Sequence, residues 1–223
     1  GLNDDNSLAG ADRRPLGSGG DMSNPQPLAY DSFYHIFNRG NNSETLFRER
    51  RNYPFFLERY VRYIEPVAET YAYCLMNNHF RLLIHTRTPD EQHAYADAHG
   101  IGQRFTPKPP SQAFGTLFNA YARAINTGYG RSGSLFEHPF HRIPVETGAY
   151  LWRLVVYIHR NPQHHGFAPD FRSWSFSSYR AIVSSRPTRV QRAKVLAWFG
   201  NVETFVQAHE MEDFDEITPW LVE

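Results

Sequence analysis

The sequence is short of four things, and each shortage closes off a class of protein. It has one cysteine, Cys74, which excludes internal disulfides and cysteine-ligated zinc and fits a reducing compartment. No apolar run approaches the roughly 18 residues that a membrane span needs, and no secretory signal opens the chain, so a soluble cytoplasmic protein with no membrane partner is the expectation. Net charge is missing too: Lys+Arg 23 against Asp+Glu 23 leaves zero, without the basic excess that usually marks a nucleic-acid binder. Lysine is nearly absent. Lys108 and Lys194 are the only two, so 21 of the basic residues are arginine. Arginine offers a planar fork suited to phosphate and base edges and stacks on rings, whereas lysine is a hydrated point charge.

What is present is an ordinary globular composition, 223 residues with 41% hydrophobic and 15% aromatic, enough for a sizeable core. The neutral total hides a division. From Ile101 to Arg192 twelve basic residues face three acidic ones, a net of +9, while Ala193 to Glu223 carries −6. Three segments follow. Residues 1–28 are Gly, Ser, Asn, Asp and Pro without periodicity and read as disordered or upstream sequence, with Met22 as an alternative start. Residues 29–192 form the folded domain, and 193–223 a helix with an acidic tail. Removing residues 1–21 leaves the chain at +2.

The periodicity predicts an α+β fold. Phe33, His35 and Phe37 alternate with Tyr34 and Ile36, a strand closed by Gly40. Pro54 sits at a helix start, with Phe56, Tyr60 and Ile64 on one face until Pro66. ETYAYCLM and HFRLLIH are strands joined in a hairpin by Asn77-Asn78. Residues 87–110 show no strong period and read as a loop. Ser111 is placed to cap a helix with a Phe114, Leu117, Phe118, Tyr121, Ile125 stripe. SGSLF and FHRIPV read as short strands. Thr147 is placed to cap GAYLWRLVVYIHRN, stopped by Asn161-Pro162, and a last helix spans 201–209.

Two clusters carry chemistry. His79, Arg81, Leu83 and His85 alternate onto one face of their strand. Tyr157 and Asn161, four apart, share one face of their helix. A histidine, a hydroxyl nucleophile and an amide oxygen suit phosphoryl transfer with a divalent cation, although with 11 His and 13 Tyr in the chain such a pairing also arises as plain core packing.

The runs YHIFNRGNN, AETYAYCLMNNHFRLLIH, YGRSGSLFEHPFHRIPV, YIHRNPQHHGF and WSFSSYRAI, in that order, resemble the REP-associated tyrosine transposases, a branch of the single-tyrosine HUH (IS200-like) transposases. The resemblance covers about Tyr30 to Phe199. It implies a ferredoxin-like (RRM-like) sheet flanked by helices, working as a monomer or homodimer on single-stranded or hairpin DNA. It also implies cleavage and rejoining through a covalent 5′-phosphotyrosine with Mg²⁺ or Mn²⁺. Carried over by motif, the nucleophile is Tyr157, and the metal ligands are His79 and Asn161. A phenol has an unperturbed pKa of about 10, so a cation on the phosphate would help it attack.

The sequence departs from the family at one place: Arg81 stands where the second histidine of His-hydrophobic-His belongs. A guanidinium has no lone pair for a metal and stays protonated. Either Arg81 stands in for the ion by forking to the phosphate, or the protein is an inactive, domesticated DNA binder. His85 lies four residues on, at about 3.3 Å per residue, too far to replace the ligand. Besides Arg81, the expected DNA contacts are Arg123, Arg131, Arg142, Arg153, Arg160, His164 and His165. His35 reads as a core neighbour, and Trp174 and Phe176 as packing.

Overall fold

The structure, a computed structural model, describes residues 26–146 and 148–211. Four strands, β1 (Phe33–Arg39), β2 (Ala68–Leu75), β3 (His79–Thr86) and β4 (His141–Pro144), pair antiparallel in the order β2-β3-β1-β4. Helix α1 (Asn52–Tyr63) connects β1 to β2, and α3 (Pro110–Gly128) lies between β3 and β4, which is the ferredoxin-like arrangement. To it are added α2 (Pro89–Ala98) before α3, and α4 (Gly148–His164), α5 (Tyr179–Val183), α6 (Arg192–Phe199) and α7 (Val202–Glu210) after β4. No helix among the described residues is long and apolar enough to cross a membrane.

The strand pattern divides the core in two. Phe37 pairs with Arg81, His35 with Leu83 and Phe33 with His85, so these side chains share one face of the sheet. Leu83, Cys74 and Ala72 on that face pack with Leu154, Val155 and Ile158 of α4 and Phe205 of α7. Tyr34, Ile36, Phe80, Leu82 and Ile84 alternate onto the other face, against Phe56 and Tyr60 of α1 and Phe114, Leu117 and Tyr121 of α3. The hairpin is as tight as Asn77-Asn78 implies. The Asn77 carbonyl accepts the Leu46 and Phe47 N–H groups at 2.8 and 2.9 Å, fastening the loop before α1 to the hairpin tip.

Five local expectations change. Residues 87–110 are not all loop: α2 starts on a reciprocal capping box, Thr88 accepting the Glu91 N–H while the Glu91 carboxylate accepts the Thr88 N–H. Ser111 does not cap α3. Pro109 holds the cap position and Ser111 Oγ accepts the Leu28 N–H at 2.7 Å, pinning the segment that enters β1. SGSLF makes no strand; Phe136 meets Gly40 as an isolated bridge. Proline 162 does not end α4, which runs on to His164, because in the last turn its missing N–H removes a single helical bond. The connection after residue 174 adds α5 and α6, too short for a visible period. Thr147 and the acidic residues 212–223 lie outside the described residues.

Candidate functional site

Helix α4 crosses the face of the sheet that carries Arg81. One turn apart on that helix, Tyr157 and Asn161 both reach it. The Arg81 guanidinium carbon lies 5.0 Å from the Tyr157 ring centre and 5.1 Å from that of Phe37, and Arg81 Nε donates to Asn161 Oδ1 at 2.9 Å. Asn161 Nδ2 in turn donates to the Tyr157 carbonyl at 2.7 Å. Arg81 is 3% exposed and Asn161 wholly buried. A guanidinium is weakly hydrated and planar, so two ring faces and an amide oxygen can replace water around it where an ammonium would be poorly served.

A cavity of about 520 Å³ opens at this end of the sheet, with His79, Arg81, Phe37, Arg39, His141 and His165 in its wall. His79 Nδ1 bonds to Asn78 Oδ1 at 2.8 Å, and its buried Nε2 has no hydrogen-bond partner among the described residues. Burial, then the positive charge of Arg81, depress the His79 pKa to about 3, so the ring is neutral. His165 meets it edge-on at 5.0 Å. His141 stacks on Phe37 at 4.7 Å and 4°. His35 lies fully buried between these groups, its ring 6.4 Å from Tyr157, and neither of its nitrogens has a hydrogen-bond partner among the described residues. Burial and the Arg81 charge hold its pKa well below the usual imidazole value. On α4, Tyr150 stands two turns from Tyr157 on the same face, its hydroxyl buried and its pKa raised by burial and by Tyr157.

These residues do not fit a resident divalent ion. Asn161 Oδ1, the amide oxygen that would ligate one, is bonded to Arg81, which contributes a fixed positive charge and no lone pair. Among the described residues no three His, Cys, Asp or Glu side chains gather as a metal site. The cavity is instead an electropositive, ring-lined recess.

Of the residues singled out from sequence, the structure brings Tyr157, Asn161 and Arg81 into contact and puts His79 and His165 in the adjoining cavity. The others are scattered. Arg142 points to the opposite face of the sheet, over Phe140 at 3.8 Å and against Ser111. Arg123 lies on α3 and Arg131 just past its end, and Arg131 is engaged by Glu44, by Asn126 Oδ1 at 2.7 Å and by the Ser134 carbonyl at 2.8 Å. Arg160 donates to the His209 and Met211 carbonyls at 3.1 and 2.6 Å, closing the end of α7. Arg153 and His164 are exposed on α4. His35, His141 and Tyr150 join the site without a sequence signal that marks them for it. Strand alternation had placed His35 on the right face, and Tyr150 lies seven residues from Tyr157, but nothing local tied His141 to Phe37.

The sheet order and the flanking helices define a ferredoxin-like α+β fold. Among solved structures, the chain is similar to the REP-associated tyrosine transposase bound to a REP hairpin, at 14% sequence identity and a TM-score of 0.53, over 74% of this chain and 89% of that one. The likeness is one of fold. No family model matches the chain, and no curated protein matches it in sequence.

Proposed function

We propose that this protein binds single-stranded or hairpin DNA at the recess beside α4 and does so without a resident metal. The observation that supports the reading is the Arg81–Asn161 bond, which engages the amide oxygen expected to ligate an ion and sets a permanent cation beside it. The similarity in fold to a transposase holding a DNA hairpin supports the ligand class. A buried guanidinium raises the potential of the cavity wall for a phosphate, and Arg39, half-exposed at the mouth beside Glu137, offers a direct contact. The expected DNA contacts at Arg153, His164 and His165 lie on the same helix or just past its end, and they belong to this reading. Arg131 and Arg142, held by internal partners, would contribute mainly to the field.

A second reading follows from Tyr157. Its ring lies against Arg81, so its hydroxyl could attack a phosphodiester held by that cation. A new bond forms from Tyr157 Oη to phosphorus, the bond to the 3′ oxygen breaks, and the phenolic proton leaves as the 3′ hydroxyl gains one. The product is the 5′-phosphotyrosine. One experiment separates the two. A labelled hairpin is incubated with wild type, Tyr157→Phe and Arg81→His, each with EDTA, Mg²⁺ or Mn²⁺, and binding and denaturant-stable adducts are scored. The binding reading expects salt-sensitive binding that is retained in Tyr157→Phe and weakened in Arg81→His, and no wild-type adduct. A wild-type adduct lost in Tyr157→Phe establishes the strand-transfer reading instead. Absence of binding to any DNA overturns both.

A further inference from the structure

On α1, Leu57 and Val61 stand one turn apart beside the buried Phe56–Tyr60 face, and both are half-buried. Across from them runs segment 188–190, tied to the outer edge of β2. Val190 bridges Thr70 in parallel, and the Gln191 N–H donates to the Thr70 carbonyl at 2.8 Å. Between the helix and that segment lies a cavity of about 200 Å³, with Tyr73, Leu82 and Val190 also in its wall. It shares no lining residue with the recess at Arg81 and sits on the opposite face of the sheet.

The wall is apolar except at two places. At one, Tyr60 and Thr70, both buried, hydrogen-bond through their hydroxyls at 2.8 Å. Two hydroxyls carry two protons, and the bond between them uses one. Among the described residues no acceptor takes the other. Burial raises the Tyr60 phenol well above its usual pKa, so the pair stays a neutral donor. At the other place, where Arg189 reaches solvent, the Glu65 carboxylate accepts from Arg189 Nη1 at 2.7 Å and from the Tyr95 hydroxyl at 3.1 Å. The opposite charges there are already matched.

Volume, wall and donor together define a ligand. A dry apolar cavity of about 150 Å³ admits a benzene ring, so this one admits a ring with a short substituent. A purely apolar guest, or an apolar side chain of a partner protein, would seal the spare proton away from any acceptor. An ion would find no unmatched charge. We propose that this cavity binds a small, uncharged aromatic molecule with one hydrogen-bond acceptor, its ring between α1 and residues 188–190 and its acceptor on the Tyr60–Thr70 pair. The site is independent of the DNA-binding reading, and neither stands or falls with the other.

The test titrates the ¹⁵N-labelled protein with acetophenone, with α-methylstyrene, which replaces the carbonyl by an apolar group of the same shape, and with benzoate. Amide shifts confined to α1, β2 and residues 188–191 report the site. Wild type should bind acetophenone about fivefold more tightly than α-methylstyrene, the worth of one neutral hydrogen bond. Either hydroxyl alone still offers a proton, so only Tyr60→Phe combined with Thr70→Val should abolish that preference. Replacing both partners of a buried bond by apolar groups of like shape spares the fold, and the double variant should keep its grip on α-methylstyrene. Val61→Trp, which fills the cavity from the half-buried flank of α1, should lose both compounds. The proposal is overturned if wild type shows no such shifts or holds ketone and hydrocarbon equally. It is also overturned if the double variant keeps the preference, if Val61→Trp binds like wild type, or if benzoate binds more tightly than acetophenone.

Discussion

The side chain of Arg81 is confined by two rings and one amide, and its charge acts on His35, Cys74, His79, His141 and Tyr150. It is the second cause, after burial, of the depressed pKa values of His35 and His79. Replacing it tests that coupling directly. In Arg81→Gln the His79 pKa should rise from about 3 and still stay below 6.5, because burial is the larger cause and is untouched. Following the imidazole protons by NMR across pH gives the value; an unchanged His79 titration would separate the two side chains. Asn161 is the other half of the pair. Asn161→Leu removes the oxygen that receives the buried Nε–H, and the loss of that charge-assisted bond should cost about 1–3 kcal/mol in urea denaturation. The departure at position 81 was plain in the sequence. Its consequence was not, because which oxygen the guanidinium meets depends on how α4 is laid across the sheet.

At the scale of elements, α7 is held to the rest by a chain of hydrogen bonds whose proton positions are determined. The Phe205 carbonyl can only accept, so His209 Nδ1 donates to it at 2.7 Å. Neutral His209 then accepts at Nε2 from His159 Nδ1–H at 2.8 Å. His159 Nε2 is left to accept from the Ser178 hydroxyl at 2.7 Å, and Ser178 Oγ accepts the Tyr73 N–H at 2.9 Å. The relay joins α7, α4, the start of α5 and β2. His209→Phe keeps the ring but strips His159 of its acceptor, and should destabilise by about 1–3 kcal/mol, with amide exchange in α7 accelerating first. Between β3 and α3, Thr88→Ala should cost about 1 kcal/mol by breaking the capping box of α2, as read by thermal or urea unfolding. That box, T-P-D-E, was legible as four letters. No apolar period announces the helix behind it, because α2 is a surface helix with few buried positions. The hairpin, β1, α1 and the α3 stripe were legible because each buries a regular face. The Tyr157–Asn161 face followed from helical spacing alone. The stacking of His141 on Phe37 joins residues about a hundred positions apart, and local pattern carries no trace of it.

Over the whole molecule, zero net charge is an average of parts with different tasks, and the histidines decide how the fold responds to acid. Among the described residues five of them, His35, His79, His141, His159 and His209, have folded pKa values below the ordinary 6.5, with burial the leading cause in each. The unfolded chain takes protons near 6.5 and the folded one does not. Stability is therefore complete above about pH 6.5 and falls as the pH drops below it, until each folded pKa is passed. For His209, lowered to about 4, the full loss amounts to about 3 kcal/mol. The carboxylates with lowered values, Glu49, Glu69 and Asp170, work in the same direction but only as the pH approaches their unfolded pKa values of about 4. The two contributions thus occupy different windows. The urea midpoint should already decline between pH 6.5 and 5, and that part of the decline should shrink by about one proton in His209→Phe. A midpoint that stays level to pH 5 would mean that the buried rings are not held neutral, and the proton positions assigned to the relay would fall with it.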